Sequence, residues 1–185
     1  MLEKIEEFMG KPISDQQRAV VESQAKYTAF GGARGGGKTW ILLYKAVSLA
    51  RENPGIHVDI VKEYDDFIIH SLEKILPESI YKFSKVHREF TFSNGSVIRV
   101  RPYFQEHEKG WKPDTDVVLI DEAQIFLESD FEAAKESIRC DGDFPKGVYL
   151  NFTFSGPGRD WIASFFICRK CKWNESPTDY VYIPM

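Results

Sequence analysis

The segment Gly32-Ala33-Arg34-Gly35-Gly36-Gly37-Lys38-Thr39 constrains the fold of this chain more than any other. Its pattern is G-x-x-x-x-G-K-T, a phosphate-binding loop. Such a loop works only between a buried strand and the first turn of a helix. Both flanks are present. Tyr27 to Phe30 predicts a strand, and the residues after Lys38-Thr39 place Leu42, Ala46 and Leu49 on one helical face. Backbone N–H groups of the glycines can converge on phosphate oxygens, and the following helix presents its positive end there. Lys38 can reach the β and γ phosphates, and the Thr39 hydroxyl can sit on magnesium.

A second half-site follows. Val117-Val118-Leu119-Ile120 is wholly apolar, so it predicts a strand covered on both faces. It ends in Asp121-Glu122. An aspartate in that position would hold magnesium, usually through water. Glu122 can orient an attacking water or accept its proton, which a pure binding module does not need. The two halves imply binding and hydrolysis of a nucleoside triphosphate. Arg34, inside the loop, can lie near the γ phosphate or point to solvent. Arg139 can be a finger donated to a neighbouring subunit or a cation at a helix C-terminus.

The remaining pattern alternates strands and helices. Ser14 and Gln17 have capping-box spacing at the start of a short helix. Asn53-Pro54-Gly55 stops the helix after the glycine loop. Ile56, Val58 and Ile60 predict a strand, and Asp65 to Leu76 a helix ended by Pro77. Glu89 to Phe92 and Val97 to Val100 flank Asn94-Gly95, a hairpin signal. Ser129-Asp130-Phe131-Glu132 has capping-box spacing and predicts another helix start. Val148 to Phe154 and Tyr180 to Ile183 predict further strands. The order implies an α/β fold: a mainly parallel sheet with helices on both faces and an antiparallel hairpin embellishment. The 185 residues fit one domain, 1–185, without an internal repeat or linker.

The net charge is −4, so any DNA contact needs a local basic patch or a second domain. Lys82, Lys85 and Arg88 form one modest cluster, which a solvated charged face also explains. With three cysteines, Cys140, Cys168 and Cys171, the chain lacks a disulfide framework. Cys168 and Cys171 are incidental thiols or half of a metal site completed elsewhere. The acidic N-terminus has no apolar signal core, and no run approaches the ~20 apolar residues that span a bilayer. A cytoplasmic location and no membrane partner are expected.

In this order, these residues resemble the ATPase domain of the large terminase subunit, the DNA-packaging motor of tailed bacteriophages. The resemblance covers nearly the whole chain. It starts at Ile13-Ser14-Asp15-Gln16-Gln17, similar to the glutamine motif that recognises adenine, with Gln17 on the base. Its capping-box role is a rival, and the two can coexist. Gly31 to Thr39 is similar to the terminase loop, which often has an arginine where Arg34 stands. The hairpin from Phe92 to Ile98 and the V-V-L-I-D-E-A-Q run from Val117 to Gln124 also match. Arg139 falls in an arginine-bearing segment that can act across a subunit interface in relatives. Thr153-Phe154-Ser155, followed by Gly156 to Trp161, resembles the segment coupling hydrolysis to movement. Ser155 stands where relatives carry asparagine, so Thr153 and Ser155 are both coupling candidates.

The resemblance implies a P-loop NTPase of RecA-like (ASCE) type. It implies ATP with Mg2+ as cofactors, and hydrolysis that drives double-stranded DNA into a prohead. Gly32, Ala33, Arg34, Gly35, Gly36, Gly37, Lys38 and Thr39 would hold the phosphates. Thr39 and Asp121 would hold the metal. Glu122, Lys38, Arg34 and Arg139 would serve catalysis. Implied partners are other copies in a ring on the portal and the small terminase subunit. Large terminases continue into a nuclease domain with clustered acidic metal ligands. No such cluster is visible, so no nuclease activity is expected from this polypeptide. The competing expectations are a helicase or repair ATPase, and a nucleotide-gated assembly module with little turnover.

Overall fold

The structure is a computed structural model and describes residues 13–32, 35–64, 66–102, 114–138, 143–153, 159–168 and 175–185. Its frame is an eight-stranded sheet in the order β3-β4-β5-β2-β6-β7-β1-β8. The strands are β1 (Tyr27–Gly32), β2 (His57–Lys62), β3 (Tyr81–Ser84), β4 (Glu89–Phe92), β5 (Val97–Pro102), β6 (Val117–Ile120), β7 (Gly147–Thr153) and β8 (Tyr180–Pro184). From β5 to β8 all neighbours run parallel. Only β3–β4 and β4–β5 are antiparallel. The predicted hairpin at Asn94-Gly95 is present, with Gly95 at φ +83° in its turn. A further strand, β3, extends it outward and has no clear signature in the sequence.

The helices are α1 (Asp15–Glu22), α2 (Lys38–Glu52), α3 (Asp66–Ile75), α4 (Glu128–Ser137) and α5 (Arg159–Ile162), the last continuing as a π-helical turn over Ala163–Ile167. One face of the sheet packs Phe30, Val58, Ile60, Val117 and Leu119 against α1, α2 and α3. The other packs Ala29, Val118, Ile120, Val148 and Leu150 against Phe131 of α4, Trp161 of α5, and Phe165 and Phe166 of the π-helical turn. β6 is fully buried, as an apolar strand sandwiched between helix layers must be.

One expectation needs correction. α4 starts at Glu128, not at Ser129. Asp130 supplies the cap by accepting the Leu127 N–H at 2.8 Å, so the reciprocal arm of a capping box operates without a hydroxyl partner. The strand predicted at Ile56, Val58 and Ile60 is β2, and the polar residue between Val58 and Ile60 is buried. Asp59 is fully buried and ion-paired with Arg99 (2.6 Å) and Arg101 (2.8 Å) of β5, with the Thr115 hydroxyl donating to it at 2.8 Å. Arg99 also forks onto Asp114 at 2.9 Å. Both faces of β2 are therefore covered, and Asp59 lies on the same face as the buried Val61.

Candidate nucleotide site

Sheet order decides where the site forms. β7 lies between β1 and β6, so the ends of β1, β7, β6 and β2 emerge side by side at one edge. The carboxyl edge of a parallel sheet is where α/β folds place their ligands. Gly35 and Gly37 adopt φ of +86° and +70°, a region open to glycine at little cost. They turn the chain from β1 into α2, whose first residue is Lys38. Lys38 is buried, and its Nζ donates to the Gly32 carbonyl at 3.5 Å. Burial lowers its pKa, while Asp121 and Glu122 pull in the opposite direction.

Thr39 reaches across to the second half-site. Its hydroxyl contacts both oxygens of Asp121, at 2.9 and 3.2 Å. Asp121 is fully buried at the end of β6. Gln17 plays two structural roles at once. Its backbone N–H and side-chain carbonyl close the capping box with Ser14, while its Nε2 donates to the Gly36 carbonyl at 3.2 Å. The glutamine thus ties α1 to the glycine loop.

Two further residues belong to the site and have no motif to announce them. Register explains them. Val61 pairs with Ile120, and Ile120 with Leu150, so the next row across β2, β6 and β7 holds Lys62, Asp121 and Asn151. Asn151 is buried. Its amide nitrogen donates to Asp121, and its carbonyl accepts the Glu122 N–H at 3.0 Å. Lys62 forms a close ion pair with Asp121 and lies 3.7 Å from Glu122 Oε2. Pairing across three strands is a long-range property that local patterns in a sequence do not display.

Glu122 adopts φ +60°, ψ +47°, the left-handed region, and its side chain is 46% exposed. The carboxylate therefore turns outward while Asp121 turns in. The chain then makes a short 3-10 turn over Ala123–Ile125 to Phe126, whose carbonyl accepts the Trp161 indole N–H at 2.9 Å. This bond links the segment after β7 to the loop after β6.

The structure thus brings together Gln17, Gly32, Gly35, Gly36, Gly37, Lys38, Thr39, Asp121 and Glu122. Ala33, Arg34, Arg139, Ser155 and Cys171 lie outside the described residues. Thr153 ends β7, beside Gly32 in the pairing of β7 with β1. Cys168 is exposed and free. The donor set fits a metal–triphosphate: a hydroxyl and a buried carboxylate in contact, beside an ammonium and positive-φ glycines. No helix among the described residues is long and apolar enough to cross a membrane.

Fold and site together define the P-loop NTPase class, with a helix-covered, mainly parallel sheet. Within that class the structure is similar to the large terminase ATPase domain of Thermus phage P74-26. That match has 17% identity and a TM-score of 0.73, and covers 98% of this chain and 84% of that one. A point variant of the same domain matches at 19% identity and TM-score 0.74 over the same shares. The large terminase of a thermophilic bacteriophage, in complex with ADP, is similar at 17% identity and TM-score 0.71. The match covers 94% of this chain and 45% of that longer one. The N-terminal domain of the DNA packaging ATPase from bacteriophage phi29 has TM-score 0.59 at 12% identity, covering 94% and 96%. No protein-family model matches the chain, and no curated protein sequence does.

Proposed function

We propose that this chain is an ATP-hydrolysing motor domain of the large terminase type, powering translocation of viral double-stranded DNA into a prohead. The observation that carries the hydrolytic part is the contact of Thr39 with Asp121 beside Lys38 and Glu122. A phosphate loop alone would bind a nucleotide. A neighbouring carboxylate held outward by its backbone adds a base. The packaging part is supported by likeness of fold to the terminase and phi29 domains and by the motif order along the chain.

In this reading Gly32 to Gly37 direct backbone N–H groups at the phosphates, and Lys38 binds the β and γ oxygens. Magnesium, when bound, screens the triphosphate charge and polarises the γ phosphate. Thr39 and Asp121 would hold it. Asn151 fixes the carboxylate of Asp121 and the backbone of Glu122 in one frame. Glu122 orients the attacking water and takes its proton. Arg34 in cis, or Arg139 from a neighbouring copy, neutralises charge developing on the γ phosphate. Gln17 holds adenine. Thr153 and Ser155 sense phosphate release and pass it, through the segment that ends at Trp161, to the DNA-gripping surface. Partners would be DNA, further copies in a ring on the portal, and the small terminase subunit.

The test is ATP turnover by wild type, Lys38→Ala and Glu122→Gln, with and without DNA and at rising protein concentration. Both variants should lose turnover, and Glu122→Gln should still bind ATP. Wild-type turnover should rise with concentration as neighbours supply Arg139. Glu122→Gln turnover equal to wild type would remove the proposed base. Strand separation by the chain would favour a helicase instead.

A further inference from the structure

The Lys62 ammonium occupies the carboxylate at which the metal would act, and this has consequences for how the site loads. Asp121 has no exposure to water. Its oxygens take donors from Thr39, Asn151 and Lys62. A carboxylate offers roughly four lone-pair directions. Three donors crowd a carboxylate that is closed to water, and Lys62 holds one of its oxygens directly, so a cation that ligates that oxygen takes the place of the ammonium.

The three are not equally displaceable. Thr39 is held in the first turn of α2. Asn151 is buried in β7 and pinned at its other end by the Glu122 N–H. Lys62 is the last residue of β2, on a flexible four-carbon stem, with 13% of its side chain exposed. It also has other stations within reach: Glu122 Oε2 at 3.7 Å and the face of Phe67, whose ring centre lies 5.8 Å away. Phe67 is itself half exposed. Lys62 is also the only one of the three donors that carries charge, so it alone repels an incoming cation.

We infer that Lys62 is an exchangeable counter-ion of the metal-binding carboxylate. It neutralises Asp121 while the site is empty, and it yields that position when a divalent cation arrives with the triphosphate. The inference rests on the nucleotide-site reading above and adds an order of events. A bare divalent ion gains only Asp121 and the Thr39 hydroxyl at the cost of a buried ion pair. A metal–nucleotide brings phosphate contacts that offset the exchange. Lys62 is therefore a positioning residue that makes the site selective for metal–nucleotide over free metal. It keeps the buried carboxylate from trapping stray cations.

The test is Mn2+ binding followed by electron paramagnetic resonance, without nucleotide, for wild type, Lys62→Met and Lys62→Arg. Binding of Mn2+–ADP to the same proteins is measured in parallel. Removing the charge should tighten free Mn2+ binding at least about tenfold, because a unit charge in contact with the ligand no longer opposes it. Lys62→Arg should stay close to wild type. Free Mn2+ should raise the Tm of Lys62→Met and leave that of wild type unchanged. If Lys62→Met does not fold, Lys62→Gln keeps a donor without charge and carries the same expectation. Equal free-Mn2+ affinity in wild type and the neutral variant, with Mn2+–ADP bound normally by wild type, overturns the role of Lys62 alone. Failure of wild type to bind Mn2+–ADP overturns the nucleotide site, and this inference with it.

Discussion

The hydroxyl of Thr39 and the carboxylate of Asp121 meet at 2.9 Å although 82 positions separate them in the chain. Thr39→Val keeps the shape and removes the donor, leaving a fully buried carboxylate with fewer partners. The loss should cost about 1–3 kcal/mol of stability, readable in urea denaturation. It should also abolish the magnesium dependence of nucleotide affinity while leaving magnesium-free nucleotide binding by Lys38 and the loop largely intact. Titration calorimetry with and without Mg2+ separates the two effects.

Asn151 spans Asp121 and the Glu122 N–H with one amide. Asn151→Leu removes both bonds at similar volume. Turnover should fall by about 10²-fold, the scale seen when a reacting group loses its frame, with a much smaller change in nucleotide affinity. Asn151→Asp should be worse for folding, because it sets a second carboxylate against a buried one. A kcat fall matched by an equal rise in Kd would assign Asn151 to binding rather than to positioning.

Backbone strain at Glu122 yields a test that separates stability from chemistry. A left-handed non-glycine residue costs about 1 kcal/mol or more. Glu122→Gly should therefore fold at least as stably as wild type, and Glu122→Val should lose about 1–2 kcal/mol, since a β-branched residue fits that region poorly. Both should lose turnover. A glycine variant markedly less stable than wild type would show that the Glu122 side chain, and not its chemistry, holds the turn.

How much of this was legible in the chain follows from the range of the interactions. Tyr27 to Thr39 and Val117 to Glu122 announce themselves because a phosphate loop and a buried apolar strand are local patterns. Ser14 and Gln17 likewise form their box as spaced. β3 was missed because Tyr81 to Ser84 is short, edge-like and only half buried, so no apolar period marks it. Asp59, Arg99 and Arg101 look like solvent-facing positions until pairing of β2 with β5 brings their charges together. Lys62 and Asn151 are ordinary polar residues until β7 inserts between β1 and β6 and the rows align. What depends on strand order and register was therefore hidden, and the cation competing for the metal carboxylate was part of it.

The Asp59 cluster lies on the other face of the sheet, buried and ion-paired. Asp59→Ala leaves Arg99 and Arg101 buried without their shared carboxylate. Breaking a buried ion pair from one side costs about 3–5 kcal/mol. Chemical denaturation should show that loss. Nucleotide affinity, measured below the unfolding transition, should change far less, because β2 contributes to the site only at its far end.

Lys45 gives a stability signal with a defined sign in pH. Its Nζ is buried on α2, donates to the Val21 and Ser23 carbonyls at 2.7 and 3.0 Å, and lies 4.7 Å from the Tyr149 ring centre. Burial lowers its pKa from 10.5 to about 8. Between those values the unfolded chain binds a proton that the folded chain has released, so stability rises with pH across this window. Below pH 8 both states are protonated, and the full cost of burying the charge is present. Tyr149 runs the other way at higher pH, since burial raises it to about 12 and folding holds its proton beyond pH 10. The comparison is therefore made against Lys45→Met, which leaves the tyrosine in place. Urea unfolding of both proteins at pH 7 and pH 10 should show wild type gaining roughly 2–3 kcal/mol relative to the variant as pH rises. A difference between the two proteins that stays constant with pH would mean that Lys45 keeps its proton in the fold.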